Sequence, residues 1–318
     1  MNPICDPQTL NDLEFSKVRE RLASYCLGPT AQQQMKGLVP YSNRRQAIQA
    51  LEETAELLSI REEGVTFPRL EFEELGKDLK RLRMQNASLF LDGVIRIYQA
   101  SLLVNELFRF FKTYDEDVPR LRSLMDISWQ SMKLIDPVEK VLDKHFKVKD
   151  DASPSLLRIR QEMQSKRRQV NRNFDRLLKK MAGQGYLGES NESFLNGRRV
   201  LSAISSFKRS VPGRTHGGSR GGAVTYVEPQ ENIQLNMELD ALAYDEEKEI
   251  ERILAALSEE IRKEVALVES YQELLTTMDA IHARVRLAHL MSATLPYLDD
   301  EPGLDLVNAY HPLLLLNN

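Results

Sequence analysis

Apolar residues recur along this chain at helical rather than strand spacing, and in one region the period shortens to that of paired helices. After Ser153 and Pro154, a helix cap and first-turn proline, they fall at Leu156, Ile159, Met163, Val170, Phe174, Leu177 and Met181, with Lys166 the one polar residue on the stripe. A second stripe runs Ile250, Leu254, Leu257, Ile261, Val268, Tyr271 and Leu275. A period near 3.5 with charges elsewhere predicts helices packed along a narrow seam. At about 1.5 Å per residue the first helix is roughly 43 Å long. Between the stripes the texture changes. Gly183, Gly185, Gly188 and Gly197 come in quick succession, Arg199–Ser205 is apolar enough for a strand, and Ala223–Val227 is a second strand that Pro229 stops. Helix resumes near Asn232 and is expected to run past residue 285. The pattern predicts two antiparallel lever helices, 153–184 and 230–275, capped by a small β-containing insert at 185–229.

The rest is helical. Residues 10–36 carry Leu10, Leu13, Val18 and Leu22 at roughly helical spacing, with a break at Gly28-Pro29. Residues 43–63 place Ile48, Leu51, Ala55 and Leu58 on one face behind Asn43 as N-cap. Leu70–Leu82, Leu89–Tyr114 (capped by Ser88, with Val94, Ile97, Leu102, Leu107 and Phe111 inward) and Leu121–Ser131 follow, and Trp129 is assigned to the core. Periodicity lapses near Asp136-Pro137 and across 147–154. The expected fold class is therefore mainly α: a helical core from 1–152, to which 276–318 returns, with the lever and clamp projecting from it.

Charge sharpens this picture. The net charge is only −4, yet Arg158 to Arg220 holds fifteen Lys and Arg against Glu162, Asp175, Glu189 and Glu192, a local excess of +11. The excess continues through the insert, where no helical face needs solvating. Cations at the end of an arm can contact phosphates without reading bases. The candidates are Arg198, Arg199, Lys208, Arg209, Arg214, His216 and Arg220 on the insert, and Lys166, Arg167, Arg168 and Arg172 along the first lever helix. Tyr186, Phe194, Phe207 and Tyr226 are sparse for stacking on single strands.

Other chemistry is thin. No Gly-x-x-x-x-Gly-Lys-Ser/Thr occurs, and no catalytic constellation is visible, so this stretch is not expected to be an enzyme. Gly217–Gly222 is either a phosphate-facing loop or a hairpin turn, and His216 either meets a phosphate or base or hydrogen-bonds that loop. His282 and His289 share a helix face and with Asp279 are a weak metal candidate; packing or surface roles are the commoner use of such spacing. Asp245 to Glu251 reads as the solvated face of a long helix, with Lys248 and Arg252 as local partners. Cys5 and Cys26 imply no disulfide framework, MNPICDPQTL has no leader pattern, and no apolar run approaches a membrane span. A cytoplasmic protein is expected, with no membrane partner.

One further pattern carries a family resemblance. Lys208–Pro229 reads KRSVPGRTHGGSRGGAVTYVEP and Asn236–Leu239 reads NMEL. Gly213, His216, Ser219 and Gly222, then Glu228-Pro229, then Asn236, Glu238 and Leu239 resemble, in order, a motif of the second bacterial branch of the MutS family. Leu13–Leu22, LEETAELL at 51–58 and AYHPLL at 309–314 resemble other parts of the same branch. The resemblance implies a helical core, a two-helix lever and a DNA-touching clamp, as the N-terminal part of a dimeric ATPase without mismatch-reading domains. It implies ATP and Mg²⁺, but in an ATPase domain outside this sequence, together with a disputed nuclease. It implies branched double-stranded DNA as partner, with nucleoid association. Ribosome or rRNA binding, with ribosome association, and a coiled-coil arm that binds protein are the alternatives.

Overall fold

The computed structural model describes residues 5–298 and 303–316. The N-terminal residues 1–4, read above for a leader, and residues 299–302 and 317–318 of the segment expected to rejoin the core lie outside the described residues. The chain divides into two compact units, Met1–Lys140 with Leu254–Asn318, and Val141–Ile253. It is mainly α, with one small antiparallel sheet.

In the first unit the helices are α1 (Pro7–Asp12), α2 (Phe15–Ala23), α3 (Pro29–Lys36), α4 (Arg44–Glu62), α5 (Gly76–Arg83), α6 (Leu91–Thr113) and α7 (Pro119–Ser123). The helix expected from residue 10 is split because Glu14 adopts a left-handed backbone, φ +50°. Asn43 caps α4 as read from sequence, its side chain accepting from Arg45 N–H at 2.9 Å. Ser88 does not cap α6; Phe90 occupies that position. Leu102, expected inward, lies one residue off the stripe of Ile97, Ser101 and Val104 and is exposed. Residues 66–75 are not helical: Phe67 packs edge-on against Phe110 and Phe111, and Leu75 N–H bonds the Gln272 side chain. After α7 a 3₁₀ turn, Leu124–Ile127, ends at Ser128, whose hydroxyl pairs with Ser270 at 2.8 Å. Trp129 follows that turn and is 49% exposed, not core. Asp136-Pro137 opens a further helix, α8 (Asp136–Val141), rather than a break, because proline is compatible with a first turn.

The second unit begins with a short β-bridge, Leu142 to Val148, and then α9 (Pro154–Gly183). Ser153 Oγ accepts from Leu156 N–H at 3.0 Å and Pro154 opens the first turn, as expected. Four strands follow: β1 (Leu187–Leu195), β2 (Arg198–Ile204), β3 (Gly213–Gly218) and β4 (Val224–Pro229), ordered β1-β2-β4-β3 and antiparallel throughout. Then comes α10 (Gln230–Lys263), which runs back along α9. The pairing descends in register: Arg176 to Glu231, Asn232 to the Val170 carbonyl, Lys166 to Glu238, Arg160 to Glu246 and Ser153 to Glu249. The two helices are therefore an antiparallel pair, in which α9 buries Leu156, Met163 and Val170 and three ion pairs flank the seam. Leu201, Ala203 and Val227 of the sheet pack on Phe174 and Met181 near the end of α9.

The helix expected to continue past residue 285 divides at Glu264. Its N–H reaches back three residues to Ile261, and its carbonyl accepts from Leu267 and Val268 to start α11 (Val265–Leu290). The seam read from Ile250 to Leu275 thus enters the first unit from Leu254 onward. There α11 is buried on most of its circumference, as a central core helix must be, with Leu267, Tyr271, Leu274, Leu275, Met278 and Ile281 fully enclosed. A last helix, α12 (Pro312–Leu316), closes the described chain.

Candidate nucleic-acid interface

Strand alternation sorts the tip residues into two sets. Leu201 and Ala203 point toward α9, so Arg198, Val200 and Ser202 take the other face of β2. On β4, Val227 belongs to the first set and Glu228 to the second. Glu228 is completely buried, yet it is a carboxylate. Asn236 Nδ2 donates to it at 2.6 Å, Arg198 Nη1 at 3.1 and 3.2 Å, and His216 Nε2 lies 2.6 Å away. Burial pushes this carboxyl up. The hydrogen bonds from Asn236 and His216 and the Arg198 charge outweigh that and hold it below the ordinary range. Arg198 also pairs with Asp240 on α10. The hub therefore joins β2, β3, β4 and α10 through one side chain.

The glycine-rich motif is explained by this hub and the turn beside it. A Cβ on Gly213 would sit 2.0 Å from the Glu228 carbonyl oxygen, so only glycine lets β3 approach β4 there. Gly217 and Gly222 have φ of +106° and +69°. Ser219 N–H donates to the Val224 carbonyl at 2.8 Å, its Oγ accepts from Val224 N–H, and Gly222 N–H donates to the Ser219 carbonyl. Ser219 closes a tight loop and His216 braces Glu228. Arg220 is presented at the loop's exposed end.

The eleven candidates fall into two groups. Four have partners. Arg198 and His216 serve the hub. Arg199 pairs with Glu192 at 2.6 Å and Asp175 at 3.1 Å and lies over the Phe174 ring. Lys166 pairs with Glu238 at 2.6 Å and Glu162 at 3.5 Å, which explains a lysine on an apolar stripe. The other seven, Arg167, Arg168, Arg172, Lys208, Arg209, Arg214 and Arg220, are exposed and pair with no side chain of the described residues. Lys208 and Arg209 follow a 3₁₀ turn, Ser205–Phe207, anchored where Phe207 stacks on Tyr186 with ring centroids 5.0 Å apart. Arg158, Lys179 and Lys180 share that exposed, unpaired state on α9. They belong to the same basic run, Arg158 to Arg220.

The acidic run on α10 has two uses. Lys248–Glu251 and Arg252–Glu249 are local pairs, as expected. Glu246 and Glu249 also turn to α9, which no local reading shows. In the first unit, Asp279 is buried against the start of α3 and accepts from Leu27 and Gly28 N–H at 2.8 to 2.9 Å. This is a capping role. His282 is enclosed beside Arg61 and Arg286, and His289 is exposed. No group of three His, Cys, Asp or Glu among the described residues is placed to hold a metal, and no helix among them is long and apolar enough to cross a membrane.

No protein-family model matches the chain. Individual proteins do. It is 30% identical over 311 residues to the endonuclease MutS2 of Aquifex aeolicus, 96% of this chain and 39% of that protein. The resemblance to the second bacterial MutS branch holds. Similar matches extend to the endonuclease MutS2 of Clostridium botulinum strain Alaska E43 (28% over 309 residues) and of Streptococcus equi subsp. equi (29% over 310). Each covers 39% of the relative, so the chain spans about two-fifths of the length of these MutS2 proteins. Within the motif that carried part of the resemblance, Gly213, His216, Glu228 and Asn236 build the hub, Ser219 and Gly222 its loop, and Glu238 the Lys166 pair.

Proposed function

We propose that Val141–Ile253 is a phosphate-gripping arm, and that this chain forms the core, lever and clamp of a MutS2-type DNA clamp. The observation that supports it is segregation. The tip spends Arg198 and Arg199 on its own scaffold, yet keeps Lys208, Arg209, Arg214 and Arg220 exposed and unpaired on its loops and outer strand. A phosphate that arrives there breaks no ion pair. Such contacts position a duplex without reading sequence, which fits branched or recombination-intermediate DNA better than a mismatch. In this reading ATP, Mg²⁺, the main dimer contacts and the nuclease activity in the relatives' name belong to the length of the MutS2 proteins that this chain does not span. The setting is the nucleoid in the cytoplasm.

The test is binding to a labelled four-way junction, a linear duplex and a structured RNA across a salt series. The junction should bind best. Seven phosphate contacts would give a log–log salt slope of about −6. Lys208→Glu with Arg209→Glu and Arg220→Glu should weaken all DNA forms at least tenfold and flatten the slope by about 3. RNA preference would overturn DNA in favour of a ribosomal target. Silence on all three at low salt would leave a protein-binding coiled-coil arm.

A further inference from the structure

Next to the hub is a cleft of about 370 Å³ lined by Leu195, Asn196, Arg198, Val200, Arg214, His216 and Asp240. The geometry points to this cleft as a seat for one phosphate oxyanion that is taken up together with a proton on His216. This rests on the phosphate-gripping reading above and makes it specific.

Glu228 is ionised and can only accept, so His216 Nε2 carries the hydrogen that faces it. His216 Nδ1 then bears a lone pair in the neutral ring, and it bonds to no described residue. An acceptor in the cleft wall repels phosphate. Protonation turns Nδ1 into a donor while leaving the Nε2 bond intact. The charged groups around the ring are Arg198 on β2, Arg214 on β3, Glu228 on β4 and Asp240 on α10; β1 and its turn supply only Leu195 and Asn196. The two arginines balance the two carboxylates. The cleft gains a net positive charge only when the imidazole does, and Arg214, free of any carboxylate, offers a planar fork to the same anion. Binding should therefore take up a proton and strengthen as pH falls.

Two measurements on the full chain test this. In the first, imidazole ¹⁵N spectra are followed as inorganic phosphate is added at constant ionic strength. The His216 resonances should shift saturably, and their titration midpoint should rise. In the second, anisotropy compares duplexes with and without 5′-phosphates at pH 6 and pH 8. Affinity should be about fivefold higher at pH 6. His216→Gln, which still donates to Glu228, should lose that ratio while keeping salt-dependent binding. Arg214→Met, which breaks no contact in the fold, should weaken the phosphate shift. Dependence on the 5′-phosphate would identify a strand end as the source, and equal affinity an internal phosphodiester. His216 resonances that ignore phosphate, or a pH ratio unchanged in His216→Gln, would overturn the proposal. Because the phosphate titration needs no nucleic acid, a saturable His216 shift without duplex binding would sink the arm reading and leave the cleft standing.

Discussion

The two units of this chain are stabilised by different physics. The first surrounds the central helix α11 with a large core of leucine, isoleucine and phenylalanine, in which the few buried charges, such as Asp279 and Asp78, are each held by local partners. The second has a small apolar cluster between α9 and the sheet and a narrow apolar stripe along α9, and adds to these a buried carboxylate and ion pairs along two helices. Burial of apolar area is not screened by salt and responds little to pH, whereas paired charges are weakened by both. The residue types that hold the second unit together are also those proposed to grip phosphate. Different residues of these types serve the two tasks, so salt should weaken both, whereas removing an unpaired cation such as Lys208 should weaken binding alone.

The largest test of this contrast is Glu228→Ala. It leaves Arg198, His216 and Asn236 without their common acceptor inside the protein. Breaking a buried charge network in this way costs about 3–5 kcal/mol. Hydrogen exchange should show the loss in residues 141–253, while the fluorescence transition of Trp129, the one tryptophan, moves much less. Equal losses in both would mean the units do not differ as described.

Acid should reverse the order. His282 in the first unit is pushed down to about 4 by burial and by the Arg61 and Arg286 charges, and its Nδ1 is buried without a partner. The unfolded chain protonates this ring near 6.5; the folded unit resists until about 4. Stability is full above pH 6.5 and falls toward pH 4, by on the order of 3 kcal/mol in total. The Glu228 carboxyl is held below its ordinary value, so its contribution is full above that value and is lost only as pH falls beneath it. Urea midpoints from Trp129 fluorescence at pH 7 and pH 4.5 should differ, and His282→Leu should remove most of the difference.

Legibility in the sequence followed locality. The caps at Asn43 and Ser153 could be read because their partners lie two and three residues away. The central strands β2 and β4 were visible as apolar runs. The edge strands β1 and β3 were not, since an edge covered on one side needs no alternating pattern and LGESNESFL and GRTHGG show none. The basic excess was visible as a count. Its division into structural and free cations was not, because Asp240 and Glu238 lie 42 and 72 residues from the cations they engage. Glu228 resisted for the same reason: nothing in Val-Glu-Pro announces a buried carboxylate until β2, β3 and α10 converge on it.

Ser153 gives the finest comparison, because it is a helix cap and a hydrogen-bond donor to a carboxylate at once. Its Oγ accepts from Leu156 N–H and donates to Glu249 Oε1 at 2.5 Å. The hydrogen bonds from Arg252 and then Ser153 hold the Glu249 carboxyl at about 2. A carboxyl depressed in this way stabilises fully above its unfolded value near 4.5 and loses that contribution as pH falls toward 2. Ser153→Ala should cost about 1 kcal/mol at pH 7, the ordinary worth of an N-cap together with this bond. The cap itself does not titrate. The gap between variant and parent should therefore narrow between pH 5 and pH 2.5 without closing, when followed by exchange protection of the first turn of α9. A gap of constant size would mean that the hydroxyl acts on the helix alone and that Glu249 is held by Arg252 without it.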